Sequence, residues 1–217
     1  MLILLPPSEG KAEPGSGDPV ALDSLAFAEE LGERREAALD ALDPALREAP
    51  AAPAADVYTG VLFKRLGLPE LPAKARRQVL IFSALWGVVR PDDRIPFYKL
   101  PPKTKLEGIG APAAYWRPAL AEALPDREGE LILDMRSAAY ASFWKPQRAT
   151  LLAVRAFTEN DGERKAVSHM AKASRGDVAR ALLAAKEAPS DPEGAAALAE
   201  ASGLTVELND GSLDVIV

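Results

Sequence analysis

Short apolar runs, spaced unevenly between helix-like stretches, constrain the fold of this chain more than any other feature. Strand-like runs occur at 1–5, 79–82, 131–133, 151–157, 204–208 and 213–217. Helical patterns occupy 21–43, 113–124, 174–185 and 191–201. Because these runs and helical patterns mix without a regular strand–helix–strand rhythm, we predict an α+β fold rather than a doubly wound one.

Chain length and one turn motif add to this prediction. The chain has 217 residues, 48% of them hydrophobic, which is enough for one sizeable core and favours one domain over two. The last two strand-like runs flank the segment Asn209-Asp210-Gly211-Ser212. An Asp-Gly pair between alternating apolar runs predicts a β-hairpin at this position.

Composition excludes several classes of protein. The chain has no cysteine, which excludes disulfides and thiolate chemistry and suits a reducing cytoplasm. His169 is the only histidine, and zinc or iron sites usually recruit several His or Cys ligands, so we expect no metal and no cofactor. A magnesium ion bound by carboxylates is the alternative that the composition leaves open. The apolar N-terminus stops at Pro6, and no run approaches the roughly 20 apolar residues of a membrane span. We therefore expect a cytoplasmic protein without a membrane partner.

Charge is distributed unevenly along the chain. The net charge is −6, but residues 58–118 hold 11 basic and 4 acidic groups, whereas residues 1–57 hold 4 basic and 12 acidic groups. The segment 136–186 is basic again, with 10 basic and 4 acidic groups. A phosphate-binding surface needs local positive charge, because salt screens distant charges beyond about 10 Å. Anionic partners therefore remain open, beside the alternative of an ordinary mixed surface.

Polar residues follow the first strand-like run in the segment Pro-Pro-Ser-Glu-Gly-Lys at 6–11. A sheet fixes the backbone at the mouth of a strand, so Ser8 and Lys11 are candidate ligand-binding residues. The segment lacks the Gly and Ser/Thr spacing of a Walker loop, which excludes an ATPase of that class. A tight turn with a solvated Lys11 is the alternative interpretation.

Basic and aromatic residues alternate in the segment 83–100, which includes Trp86, Arg90, Tyr98 and Lys99. Arginine forks suit phosphate oxygens, and aromatic rings can stack on bases. The segment is therefore a candidate anion or nucleic-acid surface, although the same aromatic residues would also suit a core.

The segment 103–117 combines Leu-Glu-Gly-Ile-Gly with a following helical pattern and looks like the hairpin of a helix-hairpin-helix unit. Its glycines would let backbone N–H groups approach a phosphate at the positive end of the helix. Such a unit binds the DNA backbone with little sequence specificity. The candidate DNA-binding residues are Lys103, Lys105, Gly108, Gly110 and Arg117. A flexible glycine turn is the alternative.

Two more groups of polar residues lie at the ends of predicted elements. Asp134, Arg136, Ser137 and Tyr140 follow the strand-like run 131–133. Near the start of a predicted helix, Lys172 and Arg175 flank Ser174, a plausible N-cap, which makes an anion site.

These segments, in this order, resemble the YaaA family of bacterial peroxide-stress proteins over nearly the whole chain. The resemblance rests on Pro-Ser-x-Gly-Lys at 7–11, Asp-x-Tyr-Thr-Gly at 56–60, Leu-Trp-Gly-Val-Val-Arg-Pro at 85–91, Pro96, Tyr98, Tyr115-Trp116, Ser137, Tyr140 and Lys-x-Ser-Arg-Gly at 172–176. The long middle block is the most specific of these motifs. The sequence departs from better-known members in having fewer basic residues around the glycine hairpin and Ala139 where they carry an acidic residue.

The resemblance implies a single α+β domain over 1–217, with a mixed, mostly antiparallel, curved sheet, surrounding helices and a helix-hairpin-helix-like element. It also implies a positively charged cleft. The family is linked to peroxide protection by limiting free intracellular iron, and to binding of duplex and branched DNA. Matching the motif positions gives these cleft residues: Ser8, Lys11, Tyr58, Arg90, Pro96, Tyr98, Trp116, Ser137, Tyr140, Lys172 and Arg175.

Two functional hypotheses follow, beside a third in which the protein is a plain interaction scaffold without a concave basic cavity. The first is a protein of the oxidative stress response that binds duplex or branched DNA through a basic cleft with little sequence specificity. The second is an enzyme that acts in the same cleft on a small anionic substrate, such as a nucleotide or modified base. For that enzyme, a desolvated lysine would act as base or nucleophile and a tyrosine as acid, with Asp134 and Arg136 among the polar groups.

Overall fold

The computed structural model describes residues 1–160, 163–166 and 168–217, and an eight-stranded sheet organises them. Numbered along the chain, the strands are β1 (Leu2–Leu5), β2 (Ala51–Pro53), β3 (Val79–Ser83), β4 (Gly87–Val89), β5 (Arg94–Pro96), β6 (Leu131–Asp134), β7 (Thr150–Asn160), β8 (Glu163–Ala166), β9 (Thr205–Asn209) and β10 (Ser212–Ile216). The main sheet has the order β4-β3-β1-β6-β7-β10-β9, and β8 pairs with β7. The strands β2 and β5 form a separate antiparallel pair.

Helices cover this sheet. They are α1 (Ala28–Leu42), α2 (Ala54–Val57), α3 (Val61–Leu66), α4 (Ala73–Arg76), α5 (Pro112–Ala123), α6 (Ala138–Ala141), α7 (Ser168–Ala184) and α8 (Pro192–Ala201). The long helix α7 packs against β7 and α3, α5 packs against α1 and β4, and α8 packs against β9. In the described part of the chain, no helix is both long and apolar enough to cross a bilayer.

The predicted α+β class with a mixed sheet is confirmed, but the expected predominance of antiparallel pairing is wrong. At the centre of the main sheet, β3, β1, β6, β7 and β10 all run parallel. Among the described strands of this sheet, β4, β8 and β9 are the ones that pair antiparallel. The physical reason is that long connections, rather than tight turns, join most of the central strands. The continuous apolar runs of β1 and β3 are fully buried, as is typical of parallel strands covered on both faces.

Most predicted elements appear close to their expected bounds. An exception is α7, which begins at Ser168 rather than at 174, so Ser174 lies inside the helix and the predicted N-cap is wrong. The Asp-Gly hairpin joins β9 to β10, with Gly211 at φ 71°. The predicted helix 21–43 is interrupted, because Phe27 adopts a left-handed conformation with φ 60° and α1 begins only at Ala28. A short 3₁₀ turn, Leu22–Ser24, precedes it.

The helix-hairpin-helix prediction is not confirmed. A single helix, α5, follows the glycine hairpin, and residues 97–111 before it contain no helix. Pro101 and Pro102 restrict this stretch, since proline removes a backbone donor and disfavours helix at the preceding residue. The hairpin itself is a small closed turn between Leu106 and Gly110.

A buried arginine attaches α1 to the edge of the sheet. Arg35 is 0% exposed and donates hydrogen bonds to the carbonyl oxygens of Trp86 (3.2 Å), Val88 (2.7 Å) and Ala26 (2.8 Å). These bonds connect the backbone before α1 to the backbone at the start of β4, and they use buried carbonyl oxygens as acceptors. The turn between β3 and β4 is thereby held in place next to the polar cluster described below.

Candidate functional site

Polar side chains gather at the carboxyl edge of the central strands. Within the main sheet, the strand that follows β1 along the chain is β3, which lies on one side of β1. The strand that follows β6 is β7, which lies on the opposite side. Ligands of open α/β sheets bind in the crevice outside the carboxyl ends of the strands, at such a point of divergence. The residues after β1, β3 and β6 are therefore the first place to look for chemistry.

The loop after β1 is fixed by contacts with the loop between α2 and α3. Thr59 N donates to Gly10 O (3.0 Å), and Gly60 N donates to Ser8 Oγ (2.7 Å). A side chain at Gly60 would collide with the Ser8 hydroxyl and displace it from its hydrogen bond with Gly60 N. Lys11 pairs with Tyr58 through the backbone. Ser8, Lys11 and Tyr58, which the sequence analysis selected from distant motifs, are thus adjacent.

Three hydroxyl groups form a buried chain beside Lys11. Tyr98 Oη lies 2.8 Å from Tyr58 Oη and 2.7 Å from Ser83 Oγ. Lys11 Nζ donates to Ser8 O (2.7 Å) and lies 4.6 Å from the Tyr98 ring centroid and 5.7 Å from that of Tyr58. The amine is therefore held against two aromatic rings.

Burial shifts the protonation equilibria of this cluster in opposite directions. It lowers the pKa of Lys11 to about 8, although the nearby Glu9 carboxylate offsets part of that effect. Burial also raises the pKa of Tyr98 to about 12 and raises the pKa of Tyr58 well above its usual value. For Tyr140, burial and then the proximity of Tyr98 raise the pKa as well. Near neutral pH the cluster thus combines protonated phenols with an amine that readily loses its proton.

An internal ion pair marks the carboxyl end of β6. Arg136 donates to Asp134 from Nε (2.9 Å) and Nη2 (2.8 Å), and its guanidinium lies 4.3 Å from the Phe82 ring centroid. The two side chains are only 1% and 11% exposed. Both charges are engaged with each other, so this pair shapes the site and contributes little net charge to it.

Arg175 provides the additional positive charge. It lies on α7, half-buried, and donates from Nε to Val154 O (3.0 Å) on β7. Burial lowers the pKa of Arg175, and the negative charge of Asp134 partly opposes this shift. Ser137, at the start of α6, and Lys172, on α7, are both exposed.

Two predicted cleft residues lie elsewhere. Arg90 follows β4, which runs antiparallel to β3, and its guanidinium contacts Arg77 O just before β3 begins. Arg90 is therefore at the amino edge of the sheet, opposite the cluster. Trp116 is 0% exposed, donates from Nε1 to Ala84 O (2.8 Å) and packs on Gly87, so it belongs to the core.

The predicted DNA-binding residues form a separate surface. Lys103 and Lys105 are exposed in the loop before α5. Gly108 and Gly110 have φ angles of 71° and 82°, which explains the choice of glycine. Gly110 N already donates to Leu106 O (2.8 Å), so this N–H does not point at a ligand. On α5, Arg117 donates to Ser142 O (3.0 and 3.1 Å).

Sequence reasoning missed Ser83, which connects the tyrosine pair to the sheet. The signal was present, because Ser83 ends the apolar run of β3 just as Asp134 ends that of β6. The side chain of His169 lies outside the described residues. Among those that are described, no three carboxylate or imidazole groups are placed to hold a metal ion.

Fold and site together define an α+β protein with a lysine–tyrosine cluster at the carboxyl edge of a largely parallel central sheet. A family model described as peroxide stress protein YaaA matches residues 24–207. The chain is 42% identical to a UPF0246 protein of Streptomyces coelicolor, over 93% of this chain and 88% of the relative. It is 36% identical to a UPF0246 protein of Corynebacterium efficiens, over 100% of this chain and 98% of the relative. The chain belongs to the YaaA peroxide stress protein family, also named UPF0246.

Proposed function

We propose that this chain is a cytoplasmic enzyme of the peroxide-stress response that acts on a small anionic substrate, of the nucleotide or modified-base class. The observation that carries the proposal is the convergence of Lys11, Tyr58 and Tyr98 at the point where the connections of β1 and β6 diverge. These residues come from three separate segments of the chain. A structural core has no need of a lysine there, since burying an amine costs free energy that an apolar residue would not.

The charges around the cluster favour an anionic ligand. Lys11 and Arg175 contribute positive charge, while Arg136 is neutralised by Asp134. Within the part of the chain that the structure describes, Arg175 bonds to Val154 O through Nε, which leaves the outer nitrogens of the guanidinium for a phosphate or carboxylate. Glu9 is exposed and would lie at the rim.

The protonation states favour acid–base chemistry over simple capture of an anion. With a pKa of about 8, Lys11 can accept a proton near neutral pH. The phenols remain protonated under the same conditions and can donate. Groups whose environments separate their proton affinities in this way are typical of catalytic sites.

Binding of mononucleotides tests this proposal. Isothermal titration calorimetry with AMP, GMP and their diphosphates should give saturable binding that Arg175→Ala weakens about tenfold or more, because a charge-assisted hydrogen bond is lost. Arg180→Ala on the same helix is the matched control, since Arg180 pairs with Glu70 and not with the cluster. Absent binding, or equal losses in the two variants, would rule the proposed ligand class out.

DNA binding is a second candidate function, supported by one observation. Lys103 and Lys105 are exposed, and within the described residues neither forms an ion pair. If both contact phosphates of a duplex, Lys103→Ala and Lys105→Ala should each reduce the slope of log affinity against log salt by about 0.9. Lys64→Ala, exposed on α3, is the control. Unchanged slopes in both loop variants would remove this candidate.

A further inference from the structure

Lys11 differs from the other lysines of the chain in its surroundings. Among the lysines that the structure describes, Lys11 alone is half-buried, and all others are exposed. Its amine is positioned by the Ser8 carbonyl at 2.7 Å and by the rings of Tyr98 and Tyr58. Fixing a lysine side chain costs up to about 2 kcal/mol of rotamer entropy, so the constraint itself calls for an explanation.

The direction of the neighbouring hydrogen-bond chain follows from counting donors and acceptors. Ser83 Oγ accepts from Leu85 N (3.2 Å) and Trp86 N (3.1 Å), which occupies both of its lone pairs. Its own proton must then be donated to Tyr98 Oη. In this arrangement Tyr98 Oη already accepts from Ser83, and Tyr58 Oη at 2.8 Å is the acceptor assigned to the Tyr98 proton. The proton of the Tyr58 hydroxyl is the one that remains available to a ligand.

We propose that Lys11 is a nucleophile that forms an imine with the aldehyde or ketone group of an anionic substrate. This inference rests on the proposed function and names its substrate class more narrowly. The amine lone pair adds to the carbonyl carbon and forms a C–N bond. The carbonyl oxygen then leaves as water with the two amine hydrogens, and a C=N bond remains. In this proposal Tyr58 donates a proton to that oxygen, and Arg175 holds the anionic group.

The protonation state of the amine supports this chemistry. At pH 7.5 about a quarter of amines with a pKa of about 8 are unprotonated, against about one in a thousand at the ordinary lysine value of 10.5. Only the unprotonated amine attacks a carbonyl, and a lysine desolvated among apolar side chains is the usual means to obtain it. Part of this advantage is lost because less basic amines are weaker nucleophiles, so we expect about a tenfold preference for Lys11 over exposed lysines.

Reductive trapping tests the inference. The intact protein is incubated with glyceraldehyde 3-phosphate and sodium cyanoborohydride at pH 7.5, and modified peptides are quantified by mass spectrometry. We expect Lys11 to be modified at least tenfold faster than Lys64, and Tyr58→Phe to slow the reaction at Lys11. Lys11→Arg keeps the positive charge but cannot form an imine, so it should lose the dominant adduct, whereas Lys64→Arg should keep it. Adducts spread evenly over the lysines, or unaltered total modification of Lys11→Arg, would overturn the proposal.

Two arms separate this inference from the proposed function. Uncharged glyceraldehyde reports on imine formation alone, and the calorimetry with mononucleotides reports on anion binding alone. Rapid modification of Lys11 without nucleotide binding would contradict the nucleotide proposal and support the imine. Nucleotide binding in a protein whose Lys11 reacts no faster than Lys64 would support the anion site and overturn the imine.

Discussion

At the scale of single residues, Tyr98 is the group on which the polar cluster depends. Its hydroxyl joins Tyr58 to Ser83, its ring contacts the Lys11 amine, and its edge packs against Trp86 at 87°. Buried hydroxyl groups are tolerated only when they are hydrogen-bonded, so each member of the chain depends on its neighbour. The cluster should therefore respond strongly to loss of one oxygen atom.

Tyr98→Phe should lower the free energy of unfolding by about 2–3 kcal/mol, since two buried hydrogen bonds are lost and two partners are left unsatisfied. The matched variant is Tyr115→Phe, which removes a single bond to Arg34 O (2.9 Å) at a partly exposed position and should cost about 1 kcal/mol. Urea unfolding at pH 7 measures both. Equal costs would contradict the hydroxyl chain.

Lys11 should make stability depend on pH in a defined window. Below pH 8 the amine is charged in both the folded and unfolded states, and the folded state carries the cost of desolvation. Between about pH 8 and 10.5 the folded protein has released a proton that the unfolded chain still binds, so the free energy of unfolding rises with pH. Relative to Lys11→Met, the wild type should therefore gain stability from pH 7.5 to 9.5.

We expect a gain of about 1 kcal/mol, smaller than the full shift because part of the amine stays hydrated. Chemical denaturation at several pH values measures it, and taking the difference between two variants cancels the titration of the shared tyrosines. Lys64→Met, at an exposed position, should show no such trend. A difference between wild type and Lys11→Met that stays constant across the window would contradict the buried amine.

At the scale of elements, Gly87, at the start of β4, is a position where glycine is required for two reasons. One is its backbone conformation, and the other is the lack of space for a side chain. Gly87 and Gly108 share a φ of 71°, but a Cβ at Gly87 would lie 2.7 Å from the Trp116 ring, whereas nothing lies within 4 Å of one at Gly108. An alanine in this backbone conformation costs about 1–2 kcal/mol by itself. Overpacking adds about 1–3 kcal/mol more.

Gly87→Ala should thus destabilise the protein by about 2 kcal/mol more than Gly108→Ala. Thermal and urea unfolding of the pair measure the difference, and the shared φ removes the backbone contribution from the comparison. A release of Trp116 would also change its fluorescence in Gly87→Ala but not in Gly108→Ala. Similar losses in the two variants would show that the turn can shift to admit a methyl group.

The elements themselves were largely predictable, but their arrangement was not. Local patterns give β3, β6, α5 and the Asp-Gly hairpin, because burial and turn chemistry act over a few residues. Arg90 was placed with Tyr98 because both lie in one motif, yet the reversal into β4 carries Arg90 to the opposite edge. Conversely, no local pattern indicates that Tyr98 will join Ser83 to Tyr58. Strand order is decided by long-range pairing, which short patterns do not encode.

At the scale of the whole molecule, β1 connects the two halves of the chain. It pairs in parallel with β3 on one side and β6 on the other, and all four of its residues are buried. Leu4 lies opposite Leu80 in one pair and Asp134 in the other. Lys11 follows β1, Ser83 ends β3 and Asp134 ends β6, so three groups of the carboxyl-edge site depend directly on the central sheet.

A cavity in β1 should therefore weaken both flanking strands together. Leu4→Ala, at a residue that is 0% exposed, should cost about 3–4 kcal/mol, because few neighbours can move to fill the space. The same substitution at half-buried Leu208, on the edge strand β9, should cost about 1 kcal/mol. Hydrogen exchange should show reduced protection of amides in both β3 and β6 for Leu4→Ala, and of β9 and β10 alone for Leu208→Ala. Loss of protection confined to one side of β1 would mean that the two halves of the sheet open independently, and that the site could be disrupted without unfolding the domain.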